Sequence, residues 1–258
     1  MKIIPVPCLQ DNFAYLVLCE ETGHIGIVDP SDASPILTAL ERLSAKPVAI
    51  LNTHHHWDHT GGNASLIQHF PDLKVYGHHS DRGRIEGQTI FLEDGDSLHI
   101  GRLQGRALYN PGHTLGAVSY LFSDCLFTGD TLFGAGCGRL FEGSAAQMHH
   151  SLNHVIGSLP DDTRIYFGHE YTLSNLKFAE AVEPHNQKIQ ERLTETQELR
   201  LIHRETSPTT LARERQTNPF LRCTEPDVHQ AVSRQEPDLD LENSAEVFRV
   251  LRAWKDQF

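Results

Sequence analysis

The chain has 258 residues, enough to bury a sizeable core as one large domain or one domain with an appendage. Its 22 basic and 34 acidic side chains give a net charge of −12, which argues against a nucleic-acid partner. There is no apolar run of the roughly eighteen residues a membrane helix needs, so no membrane partner is expected. The N-terminus, Met1-Lys2-Ile3-Ile4-Pro5-Val6-Pro7, lacks the apolar core and cleavage site of a signal peptide. Five cysteines, odd in number and with no Cys-x-x-Cys pair, point to free thiols in the cytoplasm.

Residues 13–19 and 24–28 read as strands joined by a Glu21-Thr22-Gly23 turn, and Asp29-Pro30 closes the second. Ile36, Leu37, Leu40 and Leu43 mark an amphipathic helix. Val48 to Leu51 is a buried strand, and Ala64, Leu66, Ile67 and Phe70 form a helical pattern after it. A strand follows at 74–76, and a polar, Gly-rich stretch from residue 80 carries weaker strand signals at 90–91 and 98–100. Residues 106–109, 118–122 and 125–128 are further strands. Ala145, Met148, Leu152, Val155, Ile156 and Leu159 form a helical stripe, and 164–167 is a last strand. From Leu173 the pattern is helical, with charged segments at 174–204, 208–215 and 242–256. This order predicts a layered α/β domain with a helical C-terminal appendage.

Between the strand at 48–51 and the following helix lies Thr53-His54-His55-His56-Trp57-Asp58-His59. In an extended segment alternate side chains share a face, so His54 and His56 point together and His55 points away. Asp58 and His59 leave in another direction, so one loop offers donors to two neighbouring metals. Imidazole with carboxylate suits zinc, iron or manganese. Three later strand ends each place one more donor beside a glycine: His113 in Pro111-Gly112-His113, Asp130 in Gly129-Asp130, and His169 in Gly168-His169. The seven divide into His54, His56 and His113 for one metal and Asp58, His59 and His169 for the other. Asp130, with two oxygens, is the natural bridge.

This set, His54-x-His56-x-Asp58-His59 with His113, Asp130 and His169, resembles the metallo-β-lactamase superfamily. Within it the chain is similar to the hydroxyacylglutathione hydrolases, the second enzyme of the glyoxalase system. The likeness runs the whole length and includes residues 137–143 (Cys137-Gly138-Arg139-Leu140-Phe141-Glu142-Gly143), 169–172, 218–222 and the end, Arg252-Ala253-Trp254-Lys255-Asp256-Gln257-Phe258. It implies a four-layered αββα sandwich over residues 1–173 and an all-helical, glutathione-recognising domain over 174–258. It also implies hydrolysis of S-D-lactoylglutathione to glutathione and D-lactate, as in methylglyoxal detoxification. Carried over by position, glutathione contacts fall on Arg139, Phe141, Tyr171, Arg252 and Lys255. The family commonly has tyrosine at Phe141 and histidine at Ala117; neither position is a metal ligand, so these departures bear on substrate affinity and on the tuning around the metals rather than on the reaction.

The chemistry follows from the donors. Two divalent ions, zinc in preference to iron or manganese, hold a bridging hydroxide that attacks the thioester carbonyl. Asp58 ligates and orients that hydroxide, and Asp130 joins the two sites. The thiolate leaves with little need of an acid. Cys137 is read as a packed residue rather than a nucleophile, and the His78-His79 and His149-His150 pairs as solvent-facing. A monomer acting on a small glutathione thioester is expected. The alternative is a mononuclear-iron glutathione-persulfide dioxygenase of the same fold.

Overall fold

The structure, a computed structural model, describes residues 1–43 and 45–258. It divides into two compact units, residues 1–109 with 115–129, and residues 110–114 with 130–258.

In the first unit β1 (Lys2–Cys8), β2 (Asn12–Leu18) and β3 (His24–Val28) are antiparallel neighbours. Helix α1 (Ala33–Leu43) leads to β4 (Lys46–Leu51), the short α2 (Trp57–Thr60) and α3 (Asn63–His69) to β5 (Lys74–His78), and a loop to β6 (Ile90–Leu92). Strands β3 to β6 pair in parallel. Each crossover therefore ends its strand at the same edge, where open α/β sheets place their functional loops. Strands β7 (Ser97–Ile100), β8 (Leu103–Tyr109), β9 (Val118–Phe122) and β10 (Cys125–Gly129) form an antiparallel run.

Leu16, Ile25, Ile27 and Ile50 meet Ile36, Leu40 and Leu66 of the helices in one buried cluster. On the sheet's other face Tyr15 of β2 packs on Phe127 of β10, their centroids 5.5 Å apart. Strand β1 goes unforeseen because Pro5 and Pro7 interrupt it. As the edge strand of its sheet it needs only one hydrogen-bonding side, so both prolines are tolerated.

The second unit begins with the hairpin β11 (Leu132–Phe133) and β12 (Gly136–Cys137). Helix α4 (Ala145–His150) starts at a Ser144/Gln147 capping box and unwinds through a π turn, Ser151–Val155. Strand β13 (Arg164–Phe167) is followed by α5 (Thr172–Val182) and α6 (Gln187–Leu201). Strand β14 (Thr209–Thr210) pairs with β13, and α7 (Leu211–Thr217), α8 (Pro226–Gln235) and α9 (Ser244–Gln257) complete the chain. The segment expected to be helical over 174–204 breaks at Glu183-Pro184, and Asn186 caps the new helix by accepting from Lys188 and Ile189 N–H. Helix α8 is an addition to the sequence reading; its Pro226 at the first position was the available signal.

Two side-chain groups hold this unit. Phe178, Phe220 and Phe248 are fully buried; Phe178 stacks on Phe220, and Phe220 meets Phe248 at a tilt of 58°. Glu214, 0 % exposed, accepts from Arg192 Nη2 at 2.6 Å, Ala135 N–H at 2.7 Å, Thr209 Oγ1 at 2.9 Å and Asn218 Nδ2 at 3.0 Å. A buried carboxylate needs this many donors to offset its lost hydration. The histidine pairs expected to face solvent are corrected: His78 and His149 are buried, while His79 and His150 are exposed. His78 ends a strand that has neighbours on both sides, and His149 packs edge-on to Phe248 of α9. Among the described residues no helix is long and apolar enough to cross a membrane.

Candidate metal and substrate site

The first unit holds the loop after β4. Its backbone is tied down before any metal is considered. Thr53 C=O accepts from Val118 N–H at 2.9 Å, and Asn52 C=O from Tyr120 Oη at 2.7 Å. Asn52 Nδ2 donates to His59 C=O at 2.9 Å. Gly129 ends β10 at φ 49°, and a Cβ there would lie 2.1 Å from Thr53 Oγ1, so glycine lets the two strand ends close up.

Asp29, at the end of β3, does most of the orienting. Its carboxylate accepts from Thr53 N–H and Thr53 Oγ1, both at 2.7 Å, and from His59 Nδ1 at 3.0 Å. Thr53 Oγ1, its proton given to Asp29, accepts in turn from His54 Nδ1 at 3.0 Å. Both rings thus carry the proton on Nδ1 and present Nε2 as donor atom, the usual outer support of a metal-binding histidine. His54 Nε2 lies 3.1 Å from His56 Nδ1, close to the ligand spacing of a metal with bonds of about 2.0–2.1 Å. His59 Nε2 lies 3.7 Å from Asp58 Oδ2, and Asn12 Nδ2 donates to that same oxygen at 3.2 Å. His55 turns away to Asp81 Oδ1 at 2.9 Å, as the alternation predicts. Trp57 is 72 % exposed.

The second unit holds His113, Asp130 and His169, all three buried. His113 Nδ1 donates to Arg139 C=O at 2.8 Å, again presenting Nε2. Asp130 Oδ2 lies 3.5 Å from His113 Nε2 and 3.3 Å from His169 Nε2. One carboxylate oxygen between two imidazole nitrogens suits an anion shared by two cations. Gly138 permits this closeness, since a Cβ there would meet Asp130 C=O at 2.0 Å and His113 Nδ1 at 2.9 Å.

Around these donors Phe141 packs edge-on to His113 at 5.3 Å, and Tyr171 stacks on His169 at 4.8 Å and 3°. Arg139, Arg252 and Lys255 form a cationic group whose nearest acid is Asp256. Arg252 is 5 % exposed, with Nη1 donating to Cys137 C=O and Nη2 to Asp256 Oδ1, both at 2.9 Å. Lys255 is half-buried over Phe178 and Phe258, and burial, then Arg252 and Arg139, push its pKa down. Cys137 is buried, and burial raises its thiol to about 11, in keeping with a packed residue.

Sequence reasoning missed the supports. Asp29 read as a strand terminator beside Pro30; its left-handed φ of 47° aims the carboxylate at the loop, and no spacing rule announces that. The carbonyl of Arg139 was equally invisible, although the residue was singled out for its side chain.

The metallo-beta-lactamase superfamily model matches residues 11–169, and the model of the hydroxyacylglutathione hydrolase C-terminus matches 170–258. The hydroxyacylglutathione hydrolase of Gloeobacter violaceus is 48 % identical over 100 % of both chains. This chain belongs to the hydroxyacylglutathione hydrolase family. The cytoplasmic hydroxyacylglutathione hydrolase of Arabidopsis thaliana is 43 % identical, covering 100 % of this chain and 99 % of its own. Among solved structures, TTHA1623 in a di-iron-bound form aligns with TM-score 0.61 and 27 % identity, covering 86 % of this chain and 100 % of its own. The family's fold, a metallo-β-lactamase sandwich with a helical C-terminal region, is the fold of this chain, and the persulfide dioxygenase alternative is not favoured.

Proposed function

We propose that this protein hydrolyses S-D-lactoylglutathione and related S-2-hydroxyacylglutathiones to glutathione and the free hydroxyacid, in the cytoplasm. His54, His56 and His113 would hold one divalent ion, and Asp58, His59 and His169 the other, with Asp130 shared between them. The observation that carries this reading is the Asp130 carboxylate between the Nε2 atoms of two buried histidines. The chemistry of the donors, imidazole and carboxylate only, fits zinc first and also iron or manganese. When bound, the ions would supply an acidified water as nucleophile and a Lewis acid for the thioester carbonyl.

The chain's own residues do the rest. Asp29 and Thr53 fix the rings of His54 and His59. Asp58, steadied by Asn12, accepts a hydrogen bond from the nucleophilic water and so aims it. Phe141 and Tyr171 wall the space beside His113 and His169 with aromatic surface. Residues 174–258 act as the glutathione-recognition domain, with Arg139, Arg252 and Lys255 as the charge complement of the tripeptide's carboxylates. Burial first, and then Arg252 and Arg139, push the pKa of Lys255 down, and an anion bound beside it would offset both causes.

The test is thioester cleavage, followed by loss of absorbance and by thiol release, on protein of known metal content. Turnover of S-D-lactoylglutathione that a chelator abolishes and zinc restores is expected. Full activity in metal-stripped protein, or comparable kcat/KM on a β-lactam, would overturn the assignment.

A further inference from the structure

We propose that His78, His79 and Glu93 form a separate binding site for a divalent transition-metal ion such as zinc or nickel. The three offer donor atoms that all lie within 4.8 Å of one another. The site follows from strand register. β5 and β6 are parallel, with His78 opposite Leu92, so the next residues, His79 and Glu93, emerge side by side at the strand ends. His79 Nδ1 and Glu93 Oε1 lie 3.0 Å apart, within the roughly 2.9–3.4 Å that separates ligands on an octahedral or tetrahedral ion with bonds of about 2.0–2.1 Å.

The third donor is held rigidly. His78 is 2 % exposed and its ring stacks on Tyr109 at 4.2 Å and 11°. Ser80 N–H donates to His78 Nδ1 over a long 3.3 Å; ligation through Nε2 would move the ring proton to Nδ1 and give up that contact. The Glu93 loop is fixed too, its N–H donating to Asp96 Oδ2 at 2.8 Å, while Asp94 Oδ1 accepts from Tyr109 N–H at 2.9 Å. Asp81 and Asp94 add negative potential around His78. Two imidazoles and one carboxylate leave open positions for water, a donor set that nitrogen-preferring divalent metals occupy. A simple His79–Glu93 surface pair would need neither the buried third ring nor its stacking partner.

The side chains of His79 and Glu93 are 48 % and 64 % exposed, so they can be changed without disturbing the core. Equilibrium dialysis against buffered zinc would compare the intact protein with the His79→Ala/Glu93→Gln double variant. The wild type should hold one more equivalent per chain at saturation, and each single variant should bind that equivalent at least about tenfold more weakly. In long-range proton–nitrogen spectra of the wild type, zinc should shift the ring nitrogens of His78 and His79 and leave those of the exposed His99 in place. Equal zinc content in wild type and double variant, or unshifted His78 and His79 rings at saturating zinc, would overturn the proposal. Both proteins keep the seven donors, so failure here would leave the hydrolase reading untouched.

Discussion

Lys255→Ala separates binding from chemistry. Lys255 is half-buried, has no ion pair of its own among the described residues, and is pushed to lower pKa by burial, Arg252 and Arg139. If it meets a carboxylate of glutathione, the contact is a charge-assisted hydrogen bond worth about 1.5–3 kcal/mol. Partial exposure screens it towards the lower figure, which corresponds to about a tenfold rise in KM. The glutathione carboxylates are remote from the reacting carbonyl and unchanged in the transition state, so kcat should hold. Only the ammonium form binds. In the wild type KM should therefore climb as pH rises through the lowered pKa, and in Lys255→Ala that limb should flatten. Steady-state kinetics at fixed salt and metal across pH 6–10 would read both effects. A KM within about twofold of wild type, or a fall in kcat instead, would refute the carboxylate contact. Arg252→Ala is a poorer probe: removing a buried guanidinium that donates to Cys137 C=O and Asp256 costs stability first.

Asp130→Ala should lower occupancy of both metal positions together, measured as metal per chain after dialysis; one position filled at wild-type affinity would refute its shared role. Glu214→Gln leaves Arg192 buried without a counter-charge and should cost about 3–5 kcal/mol in urea unfolding. His149 has its pKa lowered by burial and then by His154 and His150. Folding therefore favours its neutral form, so the stability it contributes is present above pH ~6.5 and lost as pH falls. In His149→Gln the decline in melting temperature below that pH should be shallower.

The candidate donors were legible because a metal site would demand particular atoms at strand ends, and His54-x-His56-x-Asp58-His59 writes four such residues into six. The strands between them were legible for a similar reason, since alternation and glycine mark their ends. What escaped was carried by atoms that every residue has, or by tertiary context. Any residue could supply the carbonyl of Arg139 that orients His113. Pro5 and Pro7 argue against a strand until an edge position excuses them. His78 and His149 look like surface histidines in sequence, and only their neighbours, Tyr109 and Phe248, make them interior. The burial of Arg252 is equally invisible in sequence, because helical spacing cannot tell which face of α9 is covered.

The Asp29 carboxylate has an evolutionary consequence. Because it steadies His59 directly and His54 through Thr53, the two imidazoles share a fate, and substitutions among these residues should show epistasis. Thr53→Val should weaken metal binding on its own, yet cost much less in an Asp29→Asn background, with a coupling of about 0.5–3 kcal/mol in a double-mutant cycle. A lineage drifting away from metal use would then lose both rings' alignment in one step at residue 29. Regaining it through single ligands would be slow, which makes this loop a unit of inheritance rather than a set of interchangeable donors.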